Sequence, residues 1–318
     1  MNPALPPRVL AFGECMIELQ GQAFGAMQQS HGGDTLNTAV YLARCAGPRL
    51  RVGYATAVGD DPLSDGLLSR WAQEGLDLSA VRRIPGRLPG LYQITNDHHG
   101  ERHFSYWRGQ SAARAYFETP VDTPVDTPAP TSAPTPLEQQ VAGLAALYFS
   151  GISLAILPPP GRARLLAAAR QLRITGGHVV FDNNYRPGLW ADAAEARAAY
   201  TQAYALADIA LVTLDDEQAL WGRAADDALA LPCPEVVVKR GAQDTLVRLA
   251  GAPAVAVSVR PVARVVDTTA AGDAFAGAYL AARLCGASAE ASAARGNALA
   301  AVVVQHRGAL IPPEAMPA

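Results

Sequence analysis

With 318 residues, 50% of them hydrophobic, the chain can enclose one large core, or a main core with a small appendage, and does not read as disordered overall. A net charge of -3, with basic residues spread along the chain, offers no electrostatic footprint for nucleic acid or an anionic membrane, which leaves a small molecule as the expected ligand. The four cysteines, Cys15, Cys45, Cys233 and Cys285, lie far apart and form no C-x-x-C pair, which argues against a zinc knuckle or a disulfide framework and predicts reduced thiols in a cytoplasmic protein.

The first residues, MNPALPPRVLAFGE, contain three prolines where a signal peptide would need an unbroken apolar stretch, and VLAFG suits a first strand. A helix is predicted around Leu36 to Cys45, then the strand VGYATAVG, then a helix from Pro62 to Gly75. Between Val81 and Trp107 the pattern changes to short alternating pieces, GLYQITND and RHFSYW, with a turn at His99 and Gly100. These read as hairpin strands outside the main sheet, a small β lid built from residues 81–108 together with residues 14–31.

Thr119 to Pro136, TPVDTPVDTPAPTSAPTP, holds six prolines and no apolar periodicity, and reads as an exposed PPII-like insertion. Val141 to Leu157 is uncharged and just long enough to be weighed as a membrane span. Ser150, Gly151 and Ser153 interrupt it, a triple proline ends it, and LAALYFSG suits a buried strand, so it belongs to the core. A helix near Arg162 to Leu172, the strand HVVFD, a helix near Glu195 to Leu206, and the strands IALVT and VVVKRG follow. The βα alternation predicts a mostly parallel sheet covered by helices, continuing to the C-terminus.

Val265 to Leu284, VVDTTAAGDAFAGAYLAARL, passes from a short apolar run through small residues into a helix. Such a turn exposes backbone N–H groups at a helix N-terminus, where partial positive charge accumulates, and forms an anion site. Asp273 stands there directly after Gly272, so a carboxylate would lie beside any phosphate the turn holds, as phosphoryl transfer requires of its base. On its own the segment is equally compatible with a helix cap and a permissive glycine.

DTTAAGD resembles the D-T-x-G-A-G-D signature of the ribokinase-like, or PfkB, carbohydrate kinases, and the upstream GGDTLNTAVYLAR resembles the N-terminal signature of that family. The two occur in the expected order, and the resemblance spans essentially the whole chain except the proline tract. It implies a three-layer α/β/α ribokinase-like fold with a mostly parallel central sheet and a small β lid. It implies ATP and Mg²⁺, with room for a monovalent cation, as cofactors. Asp273 matches the general base, and Ala270, Ala271 and Gly272 match the anion hole. Ala270 replaces the usual Gly, which would be strained if the position needs positive φ. Gly33, Asp34 and Asn37 match residues that meet the sugar.

FDNNYRPGLW places Asp182, Asn184 and Arg186 at alternate positions after a strand, able to share one face toward a crevice. The string closely resembles a segment of the 2-keto-3-deoxygluconate kinases, as does the order Tyr92, then Tyr106 and Arg108, then Arg186. These four are the implied sugar-acid contacts, with arginine suited to grip a carboxylate. In LVTLDDEQALWG, Glu217 matches a glutamate that holds magnesium through water, although Leu214 stands where Asn is usual. Asn184, Lys239, Gly241, Asp244, Gly272 and Asn297 are the implied nucleotide-side residues.

No G-x-G-x-x-G, Walker G-x-x-x-x-G-K-[ST] or H-E-x-x-H pattern occurs, which argues against a Rossmann dehydrogenase, a P-loop NTPase and a zinc hydrolase. A sugar or nucleotide sensor without chemistry would be expected to lack Asp273 or Gly272, and both are present. The expectation is an ATP-dependent kinase of a sugar acid, with 2-keto-3-deoxygluconate, converted to its 6-phosphate, as the leading substrate and a fructokinase or nucleoside kinase as the alternative. A homodimer through the lid is expected because Phe104, Tyr106 and Trp107 need cover.

Overall fold

The computed structural model describes residues 5–96, 102–118 and 133–317. The first strand, β1 (Arg8–Phe12), leads into the lid strands β2 (Met16–Gly21) and β3 (Met27–Gly32), and helix α1 (Asp34–Ala46) follows. Next come β4 (Arg51–Val58), α2 (Pro62–Gln73), β5 (Val81–Arg83), and the lid strands β6 (Gly90–Asn96) and β7 (Arg102–Trp107). The middle of the chain forms α3 (Pro136–Gln140), β8 (Ala146–Ser150), α4 (Gly151–Ile156), α5 (Pro159–Ile174), β9 (His178–Asp182) and α6 (Ala193–Leu206). The last third forms β10 (Ile209–Thr213), α7 (Leu214–Trp221), α8 (Ala225–Leu229), β11 (Glu235–Arg240), β12 (Gln243–Leu249), β13 (Val255–Val257), α9 (Ala271–Leu284) and α10 (Ala289–Val303).

Nine strands make the main sheet in the order β13-β12-β11-β10-β9-β8-β1-β4-β5, and four make the lid in the order β3-β2-β6-β7. From β11 to β5 the main sheet is parallel. Its strands are apolar on both faces because helices cover both. Leu10 and Phe12 of β1 pack toward α5, α6 and α7, whereas Val9 and Ala11 pack toward α1, α2, α9 and α10. Fully buried side chains such as Phe12, Phe149, Trp71 and Tyr200 each contribute roughly 1.5–3 kcal/mol or more by leaving water. The expected three-layer fold with a β lid is observed, but the second half of the lid starts at Gly90 and not at Val81, because Val81–Arg83 pairs parallel with β4 as the edge strand β5 of the main sheet.

Three further local expectations are corrected. The βα alternation stops at β11, because β12 and β13 pair antiparallel beside it. Gly241, at φ 61, supplies the left-handed turn that folds β12 straight back, and no helix intervenes. The proline tract also ends earlier than its composition implied. Thr135 accepts from the backbone N–H of Glu138 while Glu138 returns to the N–H of Thr135, so Thr135 and Pro136 open α3 as a capping box. Residues 119–132 of the tract, like the turn at His99 and Gly100, lie outside the described residues. Finally, the triple proline starts a helix as well as ending an apolar run, since Pro158 caps α5 and the next two prolines fill its first turn. Among the described residues no helix is long and apolar enough to cross a membrane, and Val141 to Leu157 divides into β8 and two short helical turns.

Candidate active site

The chain runs outward from β1 to β4 and β5, then returns on the other side through β8. The C-terminal ends of β1 and β8 therefore form a switch point, where a crevice opens in sheets of this kind. Helices α2, α6 and α10 are capped by Asp61, Asp192 and Ser288. By contrast α1 and α9, whose N-termini converge on this crevice, have no side-chain cap, so their positive ends stay available to an anion.

Asp273 lies in the first turn of α9, half-buried, and accepts a 2.8 Å hydrogen bond from Asn37 Nδ2 of α1. Asp34 opens α1 and accepts from Asn184 Nδ2 at 2.7 Å. Asp182, ending β9, is paired with Lys239 Nζ of β11 at 2.8 Å. Lys239 in turn reaches the α9 turn, because its Nζ would stand 3.7 Å from a Cβ placed on Gly272. The buried Tyr148 hydroxyl of β8 lies between Thr38 Oγ1 at 3.2 Å and Asp182 Oδ2 at 3.4 Å.

The electrostatic consequence is a crowd of carboxylates with one ammonium. Burial and the charge of Asp34 push the Asp273 carboxyl up to about 7, Asp182 adds to the shift, and Asn37 and Lys239 oppose it. The Asp34 carboxyl is raised as well, chiefly by burial, with Ser150, Thr35 and Asn184 bonding against the shift and Asp182 adding to it. Asn37 is 4% exposed, and its Oδ1 is buried without a hydrogen-bond partner among the described residues, an acceptor that a ligand hydroxyl would satisfy. The N–H groups of Gly272 and Asp273 precede the first intrahelical bond of α9, from Ala274 to Ala270. Ala271, expected in the anion hole beside Gly272, donates its N–H to Thr268 O at 3.3 Å and helps form the turn.

Gly33 sits in extended backbone, at φ 178, yet a Cβ there would stand 2.1 Å from the Glu14 carbonyl oxygen. Close approach, not conformation, demands this glycine. On the lid, Tyr92 donates to Glu18, and its hydroxyl lies 3.4 Å from a Cβ placed on Gly32, at the mouth of α1. Tyr106 pairs with Tyr92 across the strands, their rings 5.9 Å apart. Arg108 bonds Glu14 through Nε at 2.8 Å and through Nη2, and Ser111 Oγ takes the other Glu14 oxygen. Arg108 Nη1 has no hydrogen-bond partner among the described residues. Glu14, 2% exposed, is a residue that the sequence reading missed; its signal was an acid directly after the first strand, at the sheet's ligand edge.

Several expected residues fall elsewhere. Glu217 does not face the crevice: its carboxylate is buried against α6, bonded by Tyr204 at 2.7 Å, Asn183 at 3.3 Å and Arg223 at 2.8 Å. A step of one residue turns a helix by about 100°, and Asp216 is the acid that faces the rim. It accepts from the Tyr185 N–H and lies 3.5 Å from Arg186, and burial raises its carboxyl despite Arg186 and Lys239. Asp182, Asn184 and Arg186 fan out along the rim toward Lys239, Asp34 and Asp216 instead of forming one row. Asn184 thus meets Asp34 and not a nucleotide-side group. Asn297 accepts from Thr245 and donates to the Val257 and Ser258 carbonyls, bracing α10 against β12 and β13. Asp244 accepts from the Val259 N–H and, with Gly241, belongs to the same edge. A cavity of about 550 Å³ opens at the opposite end of the strands, where Glu235 and Arg283 bond each other, and contains none of these residues.

Among the described residues no group of three or more His, Cys, Asp or Glu is arranged as a metal cage. The excess of carboxylates at the rim fits a cation that arrives on phosphates and keeps its waters, the usual mode for Mg²⁺.

Ala270 adopts φ 59 and ψ 13, so the strain foreseen for a non-glycine residue is present. The Asp267 carboxylate holds the turn in place, accepting from Thr269 N and Oγ1 at 3.0 and 2.6 Å and from Gly308 N at 3.2 Å. Ala270→Gly is expected to stabilise the protein by about 1 kcal/mol, with turnover within a few-fold of the parent. Urea denaturation and steady-state kinetics check both, and a variant less stable than the parent would contradict the assignment of strain.

Known proteins resemble this chain in sequence and in architecture. The model of the pfkB family of carbohydrate kinases matches residues 6–316. The 2-dehydro-3-deoxygluconokinase of Escherichia coli K12 is 46% identical over 98% of this chain and 99% of that protein. Among solved structures, a PfkB protein from Polaromonas superposes with a TM-score of 0.77 at 27% identity, covering 94% of this chain and 96% of the other. The aminoimidazole riboside kinase of Salmonella enterica, solved with aminoimidazole riboside and an ATP analogue, matches with a TM-score of 0.77 at 25% identity, covering 98% and 96%. The chain belongs to the pfkB family of carbohydrate kinases and is an ATP-dependent enzyme of that family.

Proposed function

We propose that the enzyme phosphorylates the terminal hydroxyl of 2-keto-3-deoxygluconate, with Asp273 as the general base. The observation that carries the reading is the Asp273 carboxyl, raised to about 7 and oriented by Asn37 at the uncapped N-terminus of α9. Asp273 takes the hydroxyl proton, while the N–H groups of Gly272 and Asp273 and the α9 dipole stabilise charge on the transferring phosphoryl group. Ala270 and Ala271 shape that turn. The nucleotide lies along Lys239, Gly241 and Asp244, in the cytoplasm where ATP is supplied, with Asn297 fixing the edge behind them. Mg²⁺ would neutralise the phosphates, with Asp182 and Asp216 as the nearby carboxylates in place of Glu217. The sugar portion meets Gly33, Asp34 and Asn37, and Asn184 holds Asp34 in place.

The acid end of the substrate is read by Arg108, Tyr92 and Tyr106 on the lid and by Arg186 on the rim. Glu14 anchors one edge of the Arg108 guanidinium, which leaves Nη1 to meet a carboxylate. The resemblance to the deoxygluconokinases supports this substrate over a neutral sugar. The lid also supports a homodimer: Phe104, Tyr106 and Trp107 of its edge strand β7 are 48%, 55% and 58% exposed. Light scattering at micromolar protein is expected to give a dimer mass, and a monomer would remove this part of the reading.

Arg108→Ala is expected to raise KM for the keto-deoxy acid about 10²-fold and to leave KM for ATP unchanged. Normal acid binding by that variant, or a preference of the parent for fructose, would refute the substrate assignment while leaving the kinase chemistry intact.

Asp273→Asn is expected to lower turnover on the order of 10²-fold or more, and wild-type turnover would remove Asp273 from its role. Because the folded state raises the Asp273 carboxyl, protonation favours folding. That contribution is complete below about pH 4 and is lost as pH rises through about 7. The ligand-free Asn variant is therefore expected to melt above the parent at pH 8, and kcat/KM of the parent is expected to fall with one proton below about pH 7.

A further inference from the structure

We propose that Lys239 is a catalytic residue that leaves Asp182 to bind the γ-phosphoryl group during transfer. The proposal rests on the kinase reading of the site. Of the 26 Lys and Arg residues in the chain, Lys239 is the single lysine. The one side-chain ammonium in an arginine protein stands at the reaction centre: 11% exposed, 2.8 Å from Asp182 Oδ2, with its Nζ 3.7 Å from the Cβ position of Gly272.

The chemistry of the two cations explains the choice. A guanidinium beside Asp182 would bond it in a planar fork and stay there, and it would crowd the approach to Gly272. An ammonium is a compact charge on a flexible stem with three rotatable donors, able to exchange one acceptor for another within hydrogen-bond reach. Asp182 holds this charge in position before nucleotide arrives, and Lys239 also limits the repulsion among Asp182, Asp216 and Asp273. In the transfer itself the acceptor oxygen forms the new bond to the γ-phosphorus and its proton passes to Asp273. The bond from that phosphorus to the β–γ bridging oxygen breaks, and its electron pair leaves on ADP. Lys239 gives up no proton. It donates hydrogen bonds to the oxygens on which charge accumulates, then returns to Asp182 when the products leave.

The test uses the full-length enzyme. Lys239→Ala is expected to lower kcat on the order of 10²-fold, and Lys239→Arg by at least about 10-fold, with KM for the sugar acid within a few-fold of the parent. Retention of kcat within about 3-fold by Lys239→Arg would overturn the proposal. Because Lys239→Ala leaves Asp182 as a buried carboxylate without its counter-ion, the neutral pair Asp182→Asn with Lys239→Met serves as the second variant. It is expected to keep the parent circular dichroism and to lose turnover at least as far, since Asp182 is removed as well, and a folded, active double variant would also overturn the proposal. A single lysine further makes amine chemistry selective. On acetylation of the parent enzyme, read by peptide mass spectrometry with the α-amino group as reference, a non-hydrolysable ATP analogue with Mg²⁺ is expected to protect Lys239 at least about 10-fold, and 2-keto-3-deoxygluconate alone is not. Equal labelling with and without the analogue would contradict phosphate contact. If the parent itself fails to turn over the keto-deoxy acid, the substrate reading falls, and protection by the ATP analogue still decides the role of Lys239.

Discussion

Three acids, Asp34, Asp182 and Asp273, are held together at the C-terminal edge of a parallel sheet, and the rest of the site is arranged to tolerate them. Each has a long-range side-chain donor from another element: Asn184 for Asp34, Lys239 for Asp182 and Asn37 for Asp273. Two of those donors are neutral amides, so the crowd keeps its excess of negative charge. A chain selected only for stability would place fewer carboxylates there, and strain of this kind concentrates where function needs it. The same excess makes Asp273 basic enough to accept a proton near neutral pH, and gives a phosphate-bound cation a reason to settle beside it.

Glu14 extends this arrangement into the lid. It follows β1 and precedes β2, so it stands where the core strand becomes a lid strand. Its carbonyl oxygen fills the space that a Gly33 side chain would need, and its carboxylate bonds Arg108 and Ser111 just beyond β7. One buried residue thereby sets both the start of α1, proposed to meet the sugar, and the posture of Arg108, proposed to read the acid. The lid is placed by a charged hydrogen-bond network as well as by packing, and such networks specify position closely when every member is satisfied.

The layers of this fold were legible from apolar runs, because strands buried on both faces and helices buried on one have distinct periods. The turn before Asp273 was legible from its small residues, whereas Gly33, Tyr92 and Tyr106 were singled out through the resemblance to the kinase family. What escaped were choices settled by tertiary packing. Asp216 and Glu217 are adjacent acids in one helix turn, and only the packing of α6 decides which faces the rim. Asn297 is used by the Val257 and Ser258 carbonyls, a contact that no local pattern announces. Glu14 was passed over because its partner Arg108 lies far away in sequence. Strand β12 was hidden because QDTLVRL after a polar turn is as compatible with a helix start as with a hairpin.

The most direct measurement is a crystal structure of the enzyme with a non-hydrolysable ATP analogue, Mg²⁺ and 2-keto-3-deoxygluconate. The terminal hydroxyl of the acid is expected about 3 Å from the Asp273 carboxylate, in line with the γ-phosphorus, with the substrate carboxylate on Arg108. A terminal hydroxyl beyond hydrogen-bond reach of Asp273, with another side chain poised to take its proton, would contradict the assignment of Asp273 as the base.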